Sequence, residues 1–327
     1  MSMFHWSVPW RAALTKRGRA VTSFSTPVRF AVGAIAFAAF LVAERVRPLR
    51  PTTQPKTRRV LINLAIGAIG ATALALLYPP IVFRSIESLR TAEFGLLRWL
   101  LLPGWLAGVC AVVLLDYTLW IWHWLNHRVP LLWRFHAAHH ADLDLDVSTA
   151  LRFHVGELLL SVPFRVMQVA LIGVDIPVLL AWEAMLFVTT QFHHSNMRLP
   201  LVFERCLRLA VITPRMHGIH HSIVPAEVNS NFGTLFSLWD RLHRTFLVGI
   251  PQRELAIGLA ELRDPSRLGF LGALGVPFLK DLRPRPFGTP LTRGTRSSKR
   301  IRAFNHTRTL GPPGVLLESP SPCALCL

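Results

Sequence analysis

Cysteine is scarce in this chain of 327 residues. Two of the four cysteines form a single C-x-x-C pair near the C-terminus, Cys323 and Cys326. Four cysteines without a repeated pattern do not make a disulfide framework, and a lone C-x-x-C lacks the second pair that a structural zinc site needs. The sequence therefore excludes a disulfide scaffold, and we expect no zinc site at the C-terminus.

Acidic residues are also few: 18 Asp and Glu stand against 36 Lys and Arg, which gives a net charge of +18. An excess of this size can indicate nucleic-acid binding. Here, however, the basic residues are concentrated in segment 45–59, directly after an apolar run, and in the region after Asp281. Basic segments beside apolar runs are typical of the cytoplasmic face of a membrane protein. We therefore predict a membrane partner and no nucleic acid.

Two further signals are missing. No H-E-x-x-H motif occurs, because His154 is followed by Val155, Gly156 and Glu157, so a zinc protease of that type is excluded. No cleavable signal peptide is expected either, since the first apolar run begins only at Phe30.

Histidine, in contrast, is plentiful and regularly spaced. The chain has fourteen histidines, and eight of them fall in spaced clusters. The clusters are His123-x3-His127, His136-x2-His139-His140 and His217-x2-His220-His221, with the pair His193-His194 before the last one.

The spacing of these histidines predicts a metal centre. On an α-helix, residues three and four positions apart share a face, so each cluster is expected to present its imidazoles in one direction. Imidazole is the commonest metal ligand, and a single ion needs about four ligands. A lone histidine on an apolar face usually binds nothing, but three spaced clusters together are different. Eight or more converging imidazoles favour two metal ions.

Long uncharged runs predict membrane-spanning helices. Val60–Phe83 is the clearest, since it is long enough to cross a bilayer as a helix. Trp99–Leu115 is a second run, which we expect to continue as one helix to His123. The shorter run Phe30–Ala43 is predicted to be the first span. The fold class expected is therefore all-α, a polytopic membrane helical bundle.

The next two apolar runs predict a helical hairpin. Leu158–Ile172 and Ile176–Phe192 are separated by the short turn Gly173-Val-Asp175. A hairpin that enters the membrane and returns leaves all histidine clusters on one side, the side of segment 45–59. By the positive-inside tendency we predict a multi-pass integral membrane protein with its di-metal site on the cytosolic face.

Taken together, the motifs resemble the fatty acid hydroxylase/sterol desaturase superfamily of integral-membrane, histidine-rich di-iron oxygenases. The resemblance covers roughly residues 110–250, with weaker similarity to about 280. Apart from the histidine clusters it is carried by Leu151-Arg152-Phe153-His154-x2-Glu157, His194-Ser195-Asn196, Thr213-Pro214-Arg215-Met216, Asn229-x-Asn231-Phe-Gly233 and Trp239-Asp240-Arg241-Leu242. Two departures are Val155, where the family often has proline, and Arg244, where glycine is common, with His243 before it.

The resemblance implies an O2-dependent oxidoreductase, a hydroxylase (monooxygenase) or desaturase, that acts on a C–H bond of a lipid such as a sterol or fatty acyl chain. It implies two iron ions (Fe2+/Fe3+) as cofactors, with zinc able to substitute for them. Hydroxylation and desaturation share this centre, and carotenoids, sphingoid bases and alkylglycerols fit the sequence equally well. Because no cytochrome b5-like domain or flavin motif occurs, we expect an external ferredoxin- or cytochrome b5-like electron donor.

The resemblance also implies the metal ligands, and no catalytic residue is expected beyond the metal centre. The nine predicted ligands are His123, His127, His136, His139, His140, His194, His217, His220 and His221. Candidates for ligation or for the layer around the ligands are His154, His193, Asp116, Glu157 and Asp240. For Asp240, an ion pair with Arg215 or Arg241 is an equally good interpretation.

These patterns divide the chain into five predicted segments. They are a basic N-terminal arm (1–29), N-terminal transmembrane helices (30–98), a histidine-box catalytic membrane domain (99–250), a C-terminal amphipathic helical segment (251–283) and a basic tail predicted to be disordered (284–327).

The alternative function is that of a non-catalytic metal-binding or metal-transport membrane protein. A transporter needs metal-binding side chains along a path across the bilayer, whereas these histidines are predicted to cluster on one side. The clustering favours the enzyme.

Overall fold

The computed structural model of the chain describes residues 31–280 together with Val28, Leu282 and Pro284. The predicted N-terminal arm and tail, including Cys323 and Cys326, lie almost entirely outside the described residues. The described part is helical and contains no β-sheet, only isolated β-bridges. The prediction of an all-α bundle is confirmed.

Three helical stretches of the described part are long and apolar enough to cross a membrane: Lys56–Trp99, Gly104–Asn126 and Val155–Ile172. In the first stretch, helix α2 (Lys56–Tyr78) passes through one π-helical turn (Pro79–Phe83) into α3 (Arg84–Thr91). Two prolines begin that turn, and proline has no N–H to continue the regular hydrogen-bond ladder. The predicted span Val60–Phe83 lies inside this stretch.

Helix α1 covers residues 31–46, which include most of the first predicted span. Helix α5 (Gly104–Asn126) begins later than the predicted start at Trp99, because a short helix α4 (Leu96–Trp99) ends there first. Leu101 has a left-handed backbone with φ of 48°, and Pro103 is the N-cap of α5. Both residues interrupt helical geometry, so the uncharged run is divided between two helices.

Helices α7 (Val155–Ile172) and α8 (Ile176–His194) form the predicted hairpin. Gly173 ends α7 in the left-handed conformation, with φ of 81°. A Cβ atom on Gly95 would lie 2.4 Å from the Cα of Gly173, so α4 packs backbone to backbone on this turn. Glycine is required at both positions for that close approach.

A set of shorter helices lies between and after the long ones, and two of its members carry histidine clusters. They are α6 (Pro130–His140), a 3₁₀ helix (Val147–Leu151), α9 (Leu201–Leu207), α10 (Pro214–His220), α11 (Pro225–Val228) and α12 (Leu238–Leu242). Among the described residues of the predicted helical segment 251–283, only α13 (Phe270–Gly275) and two flanking 3₁₀ helices, Pro265–Leu268 and Val276–Phe278, are helical. Proline and glycine at the ends of these pieces keep them short.

Two arginines of the basic segment 45–59 are buried and bonded to the rest of the protein. Arg59 donates to the carboxylates of Asp142 and Asp146, each at 2.8 Å. Arg50 donates to Pro214 O at 3.1 Å and to Gln252 Oε1 at 2.7 Å. These charge-assisted bonds fasten the chain before α2, and α2 itself, to the segments that carry the histidines.

Candidate metal centre

The end of α5 supplies the first two histidines. His123 lies in the last turn of the helix and His127 is its C-cap, so the two rings are one turn apart with centroids 5.3 Å from each other. Pro130 then begins α6 at its first helical position, where proline is well tolerated. This short connection brings the His136 ring to 5.1 Å from the His123 ring.

The last cluster lies on α10, which has only seven residues. Thr213 caps its N-terminus by accepting a hydrogen bond from Met216 N at 3.5 Å, and Pro214 follows in the first turn. A Ser or Thr cap and a following proline stabilise helix starts. The cap therefore helps to fix the direction of the imidazoles that follow.

The histidine side chains form two buried groups, and within each group the ring nitrogens lie within 4.8 Å of one another. The first group consists of His123, His127, His136, His140 and His220. The second group consists of His139, His194, His217 and His221. Together the two groups bring together the nine histidines that the sequence singles out as ligands.

The two H-x-x-H-H clusters are divided between the groups in opposite ways. The first cluster places His136 and His140 in the first group and His139 in the second. The other cluster places His220 in the first group and His217 and His221 in the second. On an α-helix, the side chain three positions after a given residue and the side chain four positions after it point about 100° apart. The expectation that each cluster points in one direction is therefore wrong, because each serves both groups.

Facing ring nitrogens are separated by the distance expected between ligands of one ion. Nε2 of His140 lies 3.2 Å from Nε2 of His136. In the second group, Nε2 of His194 lies 3.0 Å from that of His139 and 2.9 Å from that of His217. With metal–nitrogen bonds of about 2.0–2.1 Å, tetrahedral or octahedral ligand nitrogens are roughly 2.9–3.4 Å apart. The donor sets therefore fit metal ions.

Burial favours the neutral form of three of these imidazoles. Desolvation by burial, followed by the neighbouring imidazoles, lowers the pKa of His140, His217 and His220 well below the ordinary value of 6.5. In the described part of the chain, Nε2 of His127 and Nε2 of His220 have no hydrogen-bond partner. A buried nitrogen lone pair without a donor is costly, and a metal ion satisfies it.

A carboxylate orients one ring of the first group. Oε1 of the buried Glu157, on the first turn of α7, lies 2.9 Å from Nδ1 of His136. An ionised carboxylate can only accept, so Nδ1 carries the proton and Nε2 is left for a metal ion.

Main-chain carbonyl groups orient three more rings through Nδ1. The pairs are His123 with Phe232 O (2.7 Å), His194 with Thr190 O (2.7 Å) and His220 with Ser230 O (2.8 Å). A carbonyl oxygen also only accepts, so these rings have the same tautomer. Sequence reasoning missed these partners, because every residue has a carbonyl group and only the fold shows which one meets a ring.

Asp240 does not hydrogen-bond to a ring of either group but supports a residue that does. Its buried carboxylate accepts from Phe232 N at 2.8 Å, Gly233 N at 2.9 Å and Trp120 Nε1 at 3.0 Å. Burial raises the pKa of Asp240 against the effect of these donors. The carboxylate thus holds the loop whose Phe232 carbonyl meets His123.

Arg215 and Arg241, the two arginines considered as ion-pair partners of Asp240, bind other groups. Arg215 donates to Glu204 at 2.6 Å, and Arg241 donates to the main-chain oxygen of Arg208 at 2.7 Å. Asp116 accepts from Trp239 Nε1 at 2.7 Å and from two backbone N–H groups of the preceding loop. It therefore anchors that loop to α5.

His154 and His193 lie outside both groups. His154 caps α7, since its Nδ1 accepts from Gly156 N at 2.9 Å, and its Nε2 lies 3.2 Å from Leu274 O. His193 is buried, with its ring centroid 4.2 Å from that of His217.

Aromatic side chains close the site on two sides. Phe153 stacks on His139 with centroids 4.3 Å apart and an interplanar angle of 8°. Phe232 is fully buried against His127 and His220, at 5.1 and 5.4 Å between centroids. Such apolar walls limit the access of water to a metal site.

Parts of the chain are similar to known lipid hydroxylases and monooxygenases. A family model described as fatty acid hydroxylase matches residues 108–245. The ornithine lipid hydroxylase OlsE of Rhizobium tropici is 32% identical over 180 residues, which cover 55% of this chain and 53% of that protein. Human cholesterol 25-hydroxylase is 27% identical over 146 residues (43% of this chain, 52% of that protein). Human alkylglycerol monooxygenase is 27% identical over 199 residues (56% and 40%).

The chain spans about half the length of the curated relatives it matches. No solved structure gives a match. The matched region contains both H-x-x-H-H clusters and all nine histidines of the two groups. The resemblance predicted from the motifs is confirmed: residues 108–245 match the fatty acid hydroxylase family model, and the chain is similar to lipid hydroxylases of that kind.

Proposed function

We propose that this protein is a membrane-bound oxidoreductase that uses O2 to hydroxylate or desaturate a C–H bond of a lipid. The observation that carries the proposal is the pair of buried histidine groups near the end of α5, one of the three apolar helices. A metal centre placed there is close to the acyl chains and also to the aqueous side, from which electrons arrive.

We assign two metal ions, one to each group, and propose that both are iron. His123, His127, His136, His140 and His220 would hold the first ion, and His139, His194, His217 and His221 the second. Imidazole binds iron, zinc and copper, so the ligand type alone does not select the metal. The chemistry selects it, because bound iron supplies the redox power to use O2 on an unactivated C–H bond, which side chains lack.

The chain's own residues hold and shield this centre. Glu157 and three backbone carbonyl groups fix the tautomers of four rings, so that Nε2 faces the centre. Outer hydrogen bonds of this kind orient ligands and raise their basicity. Phe153 and Phe232 pack against rings of the two groups and keep bulk water from them.

The named substrates of the relatives share one property, which supports a lipid substrate for this chain. The relatives are named for action on an ornithine lipid, on cholesterol and on alkylglycerol. All three are amphiphiles that reside in or at a bilayer. We propose a lipid of this general kind, a metal centre on the cytoplasmic face and an external ferredoxin- or cytochrome b5-like electron donor.

Metal analysis of the detergent-purified protein tests the assignment. His139→Ala removes a ligand of the second group only, and His220→Ala removes one of the first. His154→Ala is the matched control, because this buried histidine caps α7 outside both groups. We expect about two metal ions per chain in the protein and the control, and fewer in each ligand variant.

An activity assay then tests the chemistry. Iron-loaded protein, a chemical reductant and O2 are incubated with membrane lipids, and the lipids are compared by mass spectrometry. A product that gains one oxygen or loses two hydrogens, absent without O2 and absent with both ligand variants, supports the proposal. A folded protein that binds no metal would overturn it.

A further inference from the structure

Helices α9 and α12 expose an unusual amount of apolar surface. On α9 and just after it, Leu201, Val202, Phe203 and Leu209 are 58%, 76%, 55% and 68% exposed. On α12, Leu238 and Leu242 are one turn apart and 55% and 63% exposed. We call these six residues the α9–α12 surface. Apolar patches of this kind mark interaction sites.

Hydrogen bonds make the two helices one unit. Arg241 of α12 donates to Arg208 O at 2.7 Å, and Ser237 Oγ donates to the same oxygen at 2.8 Å. Ser237 N also donates to Ala210 O at 2.9 Å. The end of α9 is therefore fixed against the start of α12.

Contacts with α5 define the depth of this unit. Trp239 of α12 donates to Asp116 at 2.7 Å, and Asp240 accepts from Trp120 at 3.0 Å. Both α5 residues lie inside the apolar span Gly104–Asn126. At a rise of about 1.5 Å per residue, Trp120 lies about 9 Å and Asp116 about 15 Å before the end of that helix. Helix α12 thus lies beside the span rather than beyond it.

The outward face of α5 leads directly to this surface. Trp105, Val109 and Val113 recur at every fourth position and are 73%, 54% and 36% exposed. The next residue in that row, Tyr117, is covered by α12, since its ring lies 4.9 Å from that of Trp239. Leu238 and Leu242 therefore continue the apolar face of a membrane-spanning helix.

The charges around the surface have one sign. In segments 197–211 and 237–244 the exposed charged residues are Arg198, Arg205 and Arg244. The acidic residues of these segments, Glu204 and Asp240, are buried and hydrogen-bonded. Exposed apolar side chains beside arginines are the composition of helices that lie in the interface of anionic membranes.

We propose that the α9–α12 surface lies in the interfacial layer of the bilayer, with its apolar side chains among acyl chains and its arginines at anionic headgroups. Only a few residues separate α9 from Pro214, where the histidine-bearing α10 begins. The surface therefore holds the histidine groups at headgroup depth, where a lipid can reach them without leaving the membrane. A second copy of the chain is the competing occupant.

The native Cys206, exposed on α9, provides the probe. In full-length, metal-loaded protein the other three cysteines are replaced by serine, and Cys206 is labelled with a fluorophore. The protein is reconstituted in nanodiscs of phosphatidylcholine and phosphatidylglycerol. Quenching is measured with spin-labelled lipids and with aqueous iodide. Two reference labels in a Cys206→Ser background complete the set: Val109→Cys on the apolar face of α5 and Ser266→Cys on an exposed 3₁₀ helix.

We expect spin-labelled lipid to quench the Cys206 label several-fold more than the Ser266→Cys label, at a level close to Val109→Cys. Iodide quenching equal to that of Ser266→Cys would overturn the proposal. Protection from both quenchers would also overturn it, because it would indicate a contact between two copies.

Two variants test the chemistry of the surface separately. The double variant Val202→Asp, Phe203→Asp should shift the Cys206 label from lipid quenching to iodide quenching. Arg205→Glu should abolish any gain in lipid quenching that phosphatidylglycerol gives over phosphatidylcholine alone. Unchanged metal content shows that each variant is folded, since the metal groups include no residue of the surface. Folded variants with unchanged quenching would overturn the proposal.

Discussion

Oε1 of Glu157 lies 2.9 Å from Nδ1 of His136, so that the first turn of α7 orients a ring carried by α6. This bond joins a helix that is long and apolar enough to cross a membrane to the first histidine group.

Removal of this carboxylate should weaken metal binding without unfolding the protein. We expect Glu157→Ala to lower the metal affinity of the first group by roughly ten- to a hundredfold, as loss of an outer hydrogen bond usually does. Glu157→Gln retains an acceptor oxygen and should have a smaller effect. Affinity is measured by competition with a chelator. Glu87→Gln, on α3 away from the site, is the control, and equal affinities in all four proteins would contradict the prediction.

Asp240 should matter for stability. Asp240→Ala leaves the N–H groups of Phe232, Gly233 and Trp120 without their acceptor in a buried place. We expect a loss of about 3 kcal/mol in the free energy of unfolding. Thermal unfolding in detergent, followed by circular dichroism, measures it. Asp264→Ala, at an exposed cap, should change little.

The buried pair of Arg59 and Asp142 lies partly outside the family match and should still be needed. Arg59→Met leaves two buried carboxylates unpaired and should cost about 3 kcal/mol or more of stability. Arg58, the exposed residue before Arg59, provides the matched control: we expect Arg58→Met to leave the free energy of unfolding almost unchanged. Combined with Asp142→Asn, the effect should be less than additive; strict additivity would show that the two side chains are not coupled.

The metal-free protein should lose stability in acid. Burial lowers the pKa of His140, His217 and His220 below 6.5, so the unfolded chain binds protons at a higher pH than the folded one does. The contribution of these histidines to the free energy of unfolding is therefore complete above pH 6.5 and falls as the pH decreases below that value. Unfolding temperatures of chelator-treated protein across this range measure the effect. A stability that rises on acidification would contradict it.

Spacing and apolar length predicted much of this molecule. The runs around Val60–Phe83 and Leu158–Ile172 are helices, because apolar stretches of that length have few other stable forms in a bilayer. The histidine spacing singled out eight of the nine histidines in the two groups, because ligand geometry on a helix is local, and the resemblance added His194.

The remaining features depend on contacts between distant segments, which spacing does not encode. His139 and His140 point about 100° apart on α6, but which histidines each of them joins depends on where α8 and α10 pack. The partners of His123 and His220 are the carbonyl groups of Phe232 and Ser230, which lie in one loop, 109 and ten residues away along the chain. The burial of Arg50 and Arg59 was likewise missed, since a basic loop beside an apolar run predicts exposure.

The opposite division of the two H-x-x-H-H clusters has a consequence for how the centre fills. His139 and His220 each cross to the group that the rest of their cluster does not serve, so α6 and α10 must meet before either group is complete. If each group holds one ion, as we propose, the first ion would order the scaffold for the second, and we therefore expect cooperative loading. Protein with a single ion should be rare at every metal concentration, and loss of one ion should release the other.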